Sequence, residues 1–393
     1  MTKMKQSKPL ISSLLLLLFS GALLTGCGPK IKQESQSASS GNLTADFRIS
    51  PESDTTISNR KFEQVPAIAA SADGKVIYVA WYSGGAAPGP GNFVTVSTST
   101  DKGETWINDQ LIVYPKYSSQ RFFDPALWRD RDGQVRLYYG SSKDNLVWDG
   151  FGGVNSVDLV MNGSKIAYSN PKRLTDGVMS NKPIYVASKK ITLMPVYIDK
   201  SPRPDSGKVK YPASGAFIFS SDHKSLSLYS SVVLPDSIRI HDEPQLVEIS
   251  SDGKFLALLR TTRGIYFTNS PDYGKTSADA MPFTASGPTT SSRFYIGRLA
   301  SGNLLLISNN STTRNNMTAS VSKDGGKTWP YQLLLDAREN VSYPDADQTP
   351  EGNIHVVFDR DRTGAKDILY CRFTEEDILK GLKENVFKSR VNK

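Results

Sequence analysis

EPQLVEISSDGKFLALLR, residues 243–260, is a pair of largely apolar runs around a polar turn, with a proline at its head. Short runs rich in apolar residues favour strands, and Asp252-Gly253 suits a tight hairpin because glycine accepts positive φ. The phrase recurs as VPAIAASADGKVIYVAWYSG (65–84), DPALWRDRDGQVRLYYG (124–140), KPIYVASKKITLMPVYI (182–198), RFYIGRLASGNLLLIS (293–308) and YPDADQTPEGNIHVVFD (343–359). Its turn glycines are Gly74, Gly133, Gly253, Gly302 and Gly352, with Ser188-Lys189-Lys190 in their place in one copy. A unit of about 50–60 residues, holding one hairpin and room for more strands, predicts an all-β six-bladed β-propeller over residues 46–393. The residue before each proline, or its equivalent, then has one address, at the start of an innermost strand and at one mouth of the channel. Those residues are Val65, Asp124, Lys182, Glu243, Arg293 and Tyr343. Opposite charges gathered in a partly dry cleft suit acid–base work, or else form a ring of salt bridges that plugs the channel.

A second phrase, S-x-D-x-G-x-T-W, occurs at Ser99–Trp106 and Ser322–Trp329, with weaker copies at Ser270–Thr276 and Ser220–Asp222. Its logic is local: the Asp accepts bonds from following backbone N–H groups, the Gly takes the unusual φ, and the Trp packs beneath. Asp101 and Asp324 are therefore expected to be structural.

The ends carry different signals. Lys3, Lys5 and Lys8 precede the apolar stretch 9–24, and Leu24-Thr25-Gly26-Cys27 resembles the lipobox of bacterial lipoproteins. That resemblance implies a signal peptide over 1–26, lipidation at Cys27, a Ser- and Gly-rich tether over 27–45, and a place on the bacterial cell envelope, held to the membrane by the lipid. The other cysteine, Cys371, then has no disulfide partner and reads as a buried small hydrophobe. FRIS (47–50) is expected to complete the last blade, and TEEDILKGLKENVF (374–387) to form a short C-terminal helix capped by Thr374. Formal charge is +8, but no long basic tract accompanies it, so a nucleic-acid partner is not expected. Three scattered histidines and no clustered cysteines argue against a metal site, and no motif calls for a cofactor.

The chain from about residue 60 to 378 resembles the sialidase (BNR-repeat) superfamily, most closely its bacterial lipoproteins. FDPALW, DGVMSNKPI, SSRFYIGRL, VSYPDADQ and FTEEDI carry the likeness, and the S-x-D-x-G-x-T-W turns match the family's Asp-boxes. The resemblance implies cleavage of a terminal sialic acid with retention, using a Tyr nucleophile, a Glu that activates it, an Asp acid/base and three Arg that clamp the sugar carboxylate. By position, Tyr343 is the nucleophile, Glu243 its base, and Arg260 and Arg314 two members of the clamp. Two departures stand out. Gln64 occupies the place of the first clamp Arg, and the loop 84–93, where the acid/base Asp belongs, has no carboxylate. Asp124 is the leading replacement acid/base, with His241 and Asp242 also considered. Arg293 or Arg121 is expected to stand in for the missing Arg, and Lys182 joins the substrate-binding set.

The sequence thus predicts a monomeric exo-glycosidase acting on a terminal, acidic sugar of a glycan. Two other readings stay open: a glycan-binding lipoprotein without turnover, and a polyuronide lyase that uses Tyr343 as base.

Overall fold

The computed structural model describes residues 45–48, 60–143, 152–198, 215–221, 226–232 and 234–392. Cys27, the signal peptide, most of the tether and Asp222 lie outside them. The described residues form six antiparallel sheets in chain order, and each copy of the hairpin phrase supplies the first two strands of one sheet. Neighbouring sheets are joined by apolar clusters. One of these packs Ile68, Val79 and Trp81 of the first sheet against Val357, Ile368 and Tyr370 of the sixth, which closes the ring.

The expectation of a six-bladed β-propeller is corrected: the propeller has five blades. The first, third, fourth, fifth and sixth sheets are meanders built on four consecutive strands. The second sheet departs from that plan. Its third strand, Gly153–Asn162, pairs along its edge with two short strands, Lys165–Tyr168 and Lys172–Thr175, where a single outer strand would run. Pro171 stands between them, and a residue with no backbone N–H cannot continue a ladder.

Two terminal expectations also change. Ala45–Arg48 pairs with Ile112–Pro115 at the outer edge of the first sheet, not with the last. The sixth sheet takes its outer strand from the C-terminus, as Phe387–Arg390. The helix is shorter than its periodicity suggests, Glu375–Lys380. Thr374 and Asp377 form a capping box, and Gly381 ends it at φ 69°.

Three S-x-D-x-G-x-T turns form alike. In the last of them the Asp324 carboxylate accepts from the Thr328 amide (2.9 Å) and hydroxyl (2.6 Å), which hold its pKa down at about 2. Ser270–Thr276 makes the same bonds without the Trp. Cys371 is fully buried, and burial pushes its thiol up to about 12.

His355, buried between strands of the sixth sheet, lies 2.6 Å from the Tyr370 hydroxyl. That hydroxyl donates to the Lys102 carbonyl, so His355 Nδ1 is assigned as the donor to it. Burial, then the charge of Arg372, lowers the imidazole from 6.5 to about 4. A folded-state pKa below the unfolded one means stability that is complete above pH 6.5 and is lost as pH falls towards 4, about 3 kcal/mol in all. Urea unfolding at neutral and mildly acid pH should show His355→Gln losing less stability than wild type over that window. Equal losses would refute the assignment.

Candidate functional site

The phrase heads do not share one backbone conformation, and that difference builds the site. Val65, Asp124, Glu243 and Tyr343 have φ of 55°, 44°, 40° and 54°, left-handed values that are costly for residues with side chains and more so before proline. Lys182 and Arg293 are not among the positive-φ residues. The strain, about 1–3 kcal/mol at each position, persists because buried groups over-determine it. Asn181 Nδ2 donates to the carbonyls of Glu243 (2.7 Å) and Pro244 (3.1 Å). Arg293 donates to the carbonyls of Ser180 and Pro66 (2.6 Å each) and of Tyr343 (3.2 Å). The Val65 amide donates to Asp359 at 3.0 Å.

Arg293 and Lys182 are therefore internal struts. Arg293 is 1% exposed, with both Nη atoms committed to the backbone carbonyls of Ser180, Pro66 and Tyr343. Lys182 Nζ donates to the Ile68 carbonyl, to the Leu127 carbonyl at 2.6 Å and to Asp345 at 2.7 Å. Lys182 Nζ and both Arg293 Nη atoms are thus engaged inside the ring, where sequence reasoning had placed both residues in the substrate-binding set.

The left-handed residues converge instead. Arg260 Nη1 donates to the Tyr343 hydroxyl at 2.8 Å and lies 3.1 and 3.2 Å from the two Glu243 oxygens. Tyr343 and Glu243 are thus linked through one guanidinium nitrogen and not by a bond to each other. Burial works against the Arg260 charge, and Glu243 and Tyr343 more than restore it. Four guanidinium carbons surround the Tyr343 ring centroid, at 4.3 Å (Arg362), 5.1 Å (Arg314), 5.6 Å (Arg293) and 5.7 Å (Arg260). Tyr343 itself is 7% exposed.

Asp124 lies beside this group, its carboxylate accepting from the Tyr197 hydroxyl at 3.3 Å. Burial and then the charge of Glu243 raise its pKa, against Arg121, Arg293 and His241. A carboxyl so placed keeps its proton to higher pH than usual, which suits a general acid. Arg121 is buried against the Phe123 ring at 4.0 Å, and the His241 ring lies 6.2 Å from that of Tyr197. Asp242 is taken up by Arg239. Gln64 is buried opposite Tyr82 in the first inner hairpin. The loop 84–92 is tied to the Arg121 side of the mouth by Gly91 N–H to the Gln120 carbonyl, 2.7 Å, and Phe122 N–H to the Asn92 carbonyl, 2.9 Å.

Sequence reasoning missed Arg362, Tyr197 and Tyr82. A signal for the first existed: Arg260 sits near the end of the fourth sheet's second strand, and Arg362 follows the sixth sheet's second strand, the same end of an inner hairpin. A cleft of about 380 Å³ between the second and third sheets, lined by Trp128, Arg136 and Met194 among others, shares no residue with this cluster. Among the described residues, no three His, Cys, Asp or Glu are arranged to hold a metal ion.

A family model described as BNR repeat-like domain matches residues 74–356. No curated protein matches the chain. Among solved structures, the Hadza microbial sialidase Hz136 superposes with a TM-score of 0.62 at 16% identity, over 81% of this chain and 66% of that one. The NanB sialidase from Streptococcus pneumoniae gives 0.62 at 12%, over 83% and 70%. The intramolecular trans-sialidase from Ruminococcus gnavus gives 0.57 at 14%, over 87% and 99%. At these identities the likeness is one of fold.

Proposed function

The chain belongs to the BNR repeat-like family, and we propose that it is a glycoside hydrolase of the sialidase type, releasing a terminal acidic sugar from a glycan. The observation that carries this reading is the Tyr343 hydroxyl receiving Arg260 at 2.8 Å inside a collar of guanidiniums, with Glu243 on the same nitrogen. A neutral phenol approaches an anionic sugar without the repulsion a carboxylate nucleophile would meet. In the proposed reaction the Tyr343 oxygen bonds to the anomeric carbon as the glycosidic C–O bond breaks. The leaving oxygen takes the Asp124 proton, and Glu243 receives the phenol proton. Asp124, now ionised, draws a proton from the water that displaces Tyr343, and the departing phenolate takes its proton back from Glu243, which restores all three groups. Arg260 and Arg314 hold the sugar's carboxylate, with Arg121 and His241 tuning Asp124. Leu24-Thr25-Gly26-Cys27 supports a lipid-anchored place on the bacterial envelope.

A second reading, glycan binding without turnover, is favoured by the loop 84–93, which has no carboxylate, and by Gln64. The test is a panel of methylumbelliferyl α-sialoside, neutral hexosides and uronides, with a polyuronide beside it. Fluorescence from the sialoside, with the configuration retained by proton NMR, is the expected result. Sialic acid binding without release of the fluorophore would replace the first reading by the second. An unsaturated uronate product would overturn both.

A further inference from the structure

We infer that Arg362 binds the carboxylate of the acidic sugar, a role no clamp position in the sequence marks; this rests on the acidic-sugar reading above. Three observations carry it. First, the Arg362 guanidinium carbon is 4.3 Å from the Tyr343 ring centroid, nearer than Arg260, Arg293 or Arg314. Secondly, its inner edge is built in. Nε faces Asp359 at 3.3 Å and Nη2 donates to Ser342 Oγ at 2.8 Å. Asp359 is fully buried and is itself held by the Ser342 hydroxyl (2.6 Å) and the Val65 amide (3.0 Å). Burial opposes the Arg362 charge, and Asp359, Tyr343 and Tyr82 more than restore it, so the cation persists at the pocket edge. Thirdly, its outer edge faces the reacting group: beyond Asp359 and Ser342 its side-chain partner is the Tyr343 phenol, and the side chain is 22% exposed.

Arg314 is in a similar state on the same ring. Its one bond is a long donation to the Ser291 carbonyl, 3.4 Å, and among the described residues it has no carboxylate partner. Arg293 is spent on carbonyls, whereas Arg260 gives Nη1 to Glu243 and Tyr343 and keeps Nη2 without an acceptor among the described residues. The pocket therefore presents Arg362 and Arg314 beside that edge of Arg260, and their planar forks match a carboxylate. The location explains the sequence departure as well. The Arg362 carbonyl accepts the Glu63 amide at 3.0 Å, which sets residue 362 beside the strand that carries Gln64. The cation lost from the first sheet is supplied by the sixth.

Binding of the 2,3-unsaturated analogue of N-acetylneuraminic acid, and of its methyl ester, to the full chain is measured by calorimetry for wild type, Arg362→Gln, Arg362→Lys and Arg314→Gln. The expected result is a loss of about 10- to 100-fold for the acid in Arg362→Gln, with the ester unchanged and Arg362→Lys in between. Thermal melting checks folding; if Asp359 left unpaired unfolds the Gln variant, Arg362→Lys carries the test, with a loss for the acid alone. Acid affinity unchanged in the Arg362 variants but reduced in Arg314→Gln overturns the inference and leaves the hydrolase reading standing. Wild type that does not prefer the acid to its ester overturns the acidic-sugar reading and this inference with it.

Discussion

Tyr343→Phe is expected to lower turnover of a cleavable sialoside by about 10⁴-fold or more while the protein melts within a few degrees of wild type. Phe keeps the ring that the four guanidiniums surround and loses the single atom that the mechanism needs. That atom also accepts from Arg260 at 2.8 Å, so the variant leaves one N–H of Arg260 without its acceptor. The same nitrogen keeps both Glu243 oxygens, which bounds the structural penalty to roughly 1–3 kcal/mol. Affinity for the unsaturated sugar acid should change little, because its carboxylate is assigned to Arg314, Arg260 and Arg362 and not to the phenol. Single-turnover kinetics beside calorimetry separates the two quantities. Turnover within about tenfold of wild type would remove Tyr343 from the chemistry and with it the retaining mechanism.

Much of this was legible in the sequence, for a physical reason. A hairpin and an Asp-box turn are local structures, specified by residues a few positions apart, so their repetition announces the repeating sheets and their order. Tyr343, Glu243, Arg260 and Arg314 could be placed together because equivalent positions in a ring of sheets face the same mouth. The sequence could not show that equivalent positions take two backbone conformations. Asp124, Glu243 and Tyr343 turn left-handed and reach the pocket, whereas Lys182 and Arg293 do not and run inward. The choice is made by contacts across the ring, such as Asn181 on the Glu243 carbonyl, and no window along the chain contains both partners. Arg362 was hidden for a related reason: it lies outside the repeated phrase, and its partners Asp359 and Ser342 reveal its direction only once the sixth sheet is folded. The split outer edge of the second sheet was foreshadowed by Pro171, but the loss of a ladder donor there mattered only once that segment was known to be an outer strand.

Arg293→Met should be the most destabilising of the changes considered, with a loss of about 3–5 kcal/mol and a melting shift on the order of 10 °C. Methionine fills much of the volume and donates nothing. The carbonyls of Ser180, Pro66 and Tyr343 would then stand in a dry channel without partners, each worth about 1–3 kcal/mol. Pro66 and Tyr343 belong to the first and sixth sheets and Ser180 to the segment that leads into the third, so the loss falls on the ring itself. It also falls on the nucleophile: the Arg293 bond to the Tyr343 carbonyl is one of the contacts that hold that residue at φ 54° before Pro344. Released, Tyr343 relaxes towards an extended conformation and its hydroxyl leaves Arg260. Turnover should therefore fall even at temperatures where the variant remains folded, and neutral and acidic ligands should lose affinity alike, because the guanidinium never meets the sugar. Arg293→Lys, which keeps a charge and fewer donors, should recover part of the stability. A variant that melts like wild type but binds the acid more weakly than its ester would show instead that Arg293 faces the ligand.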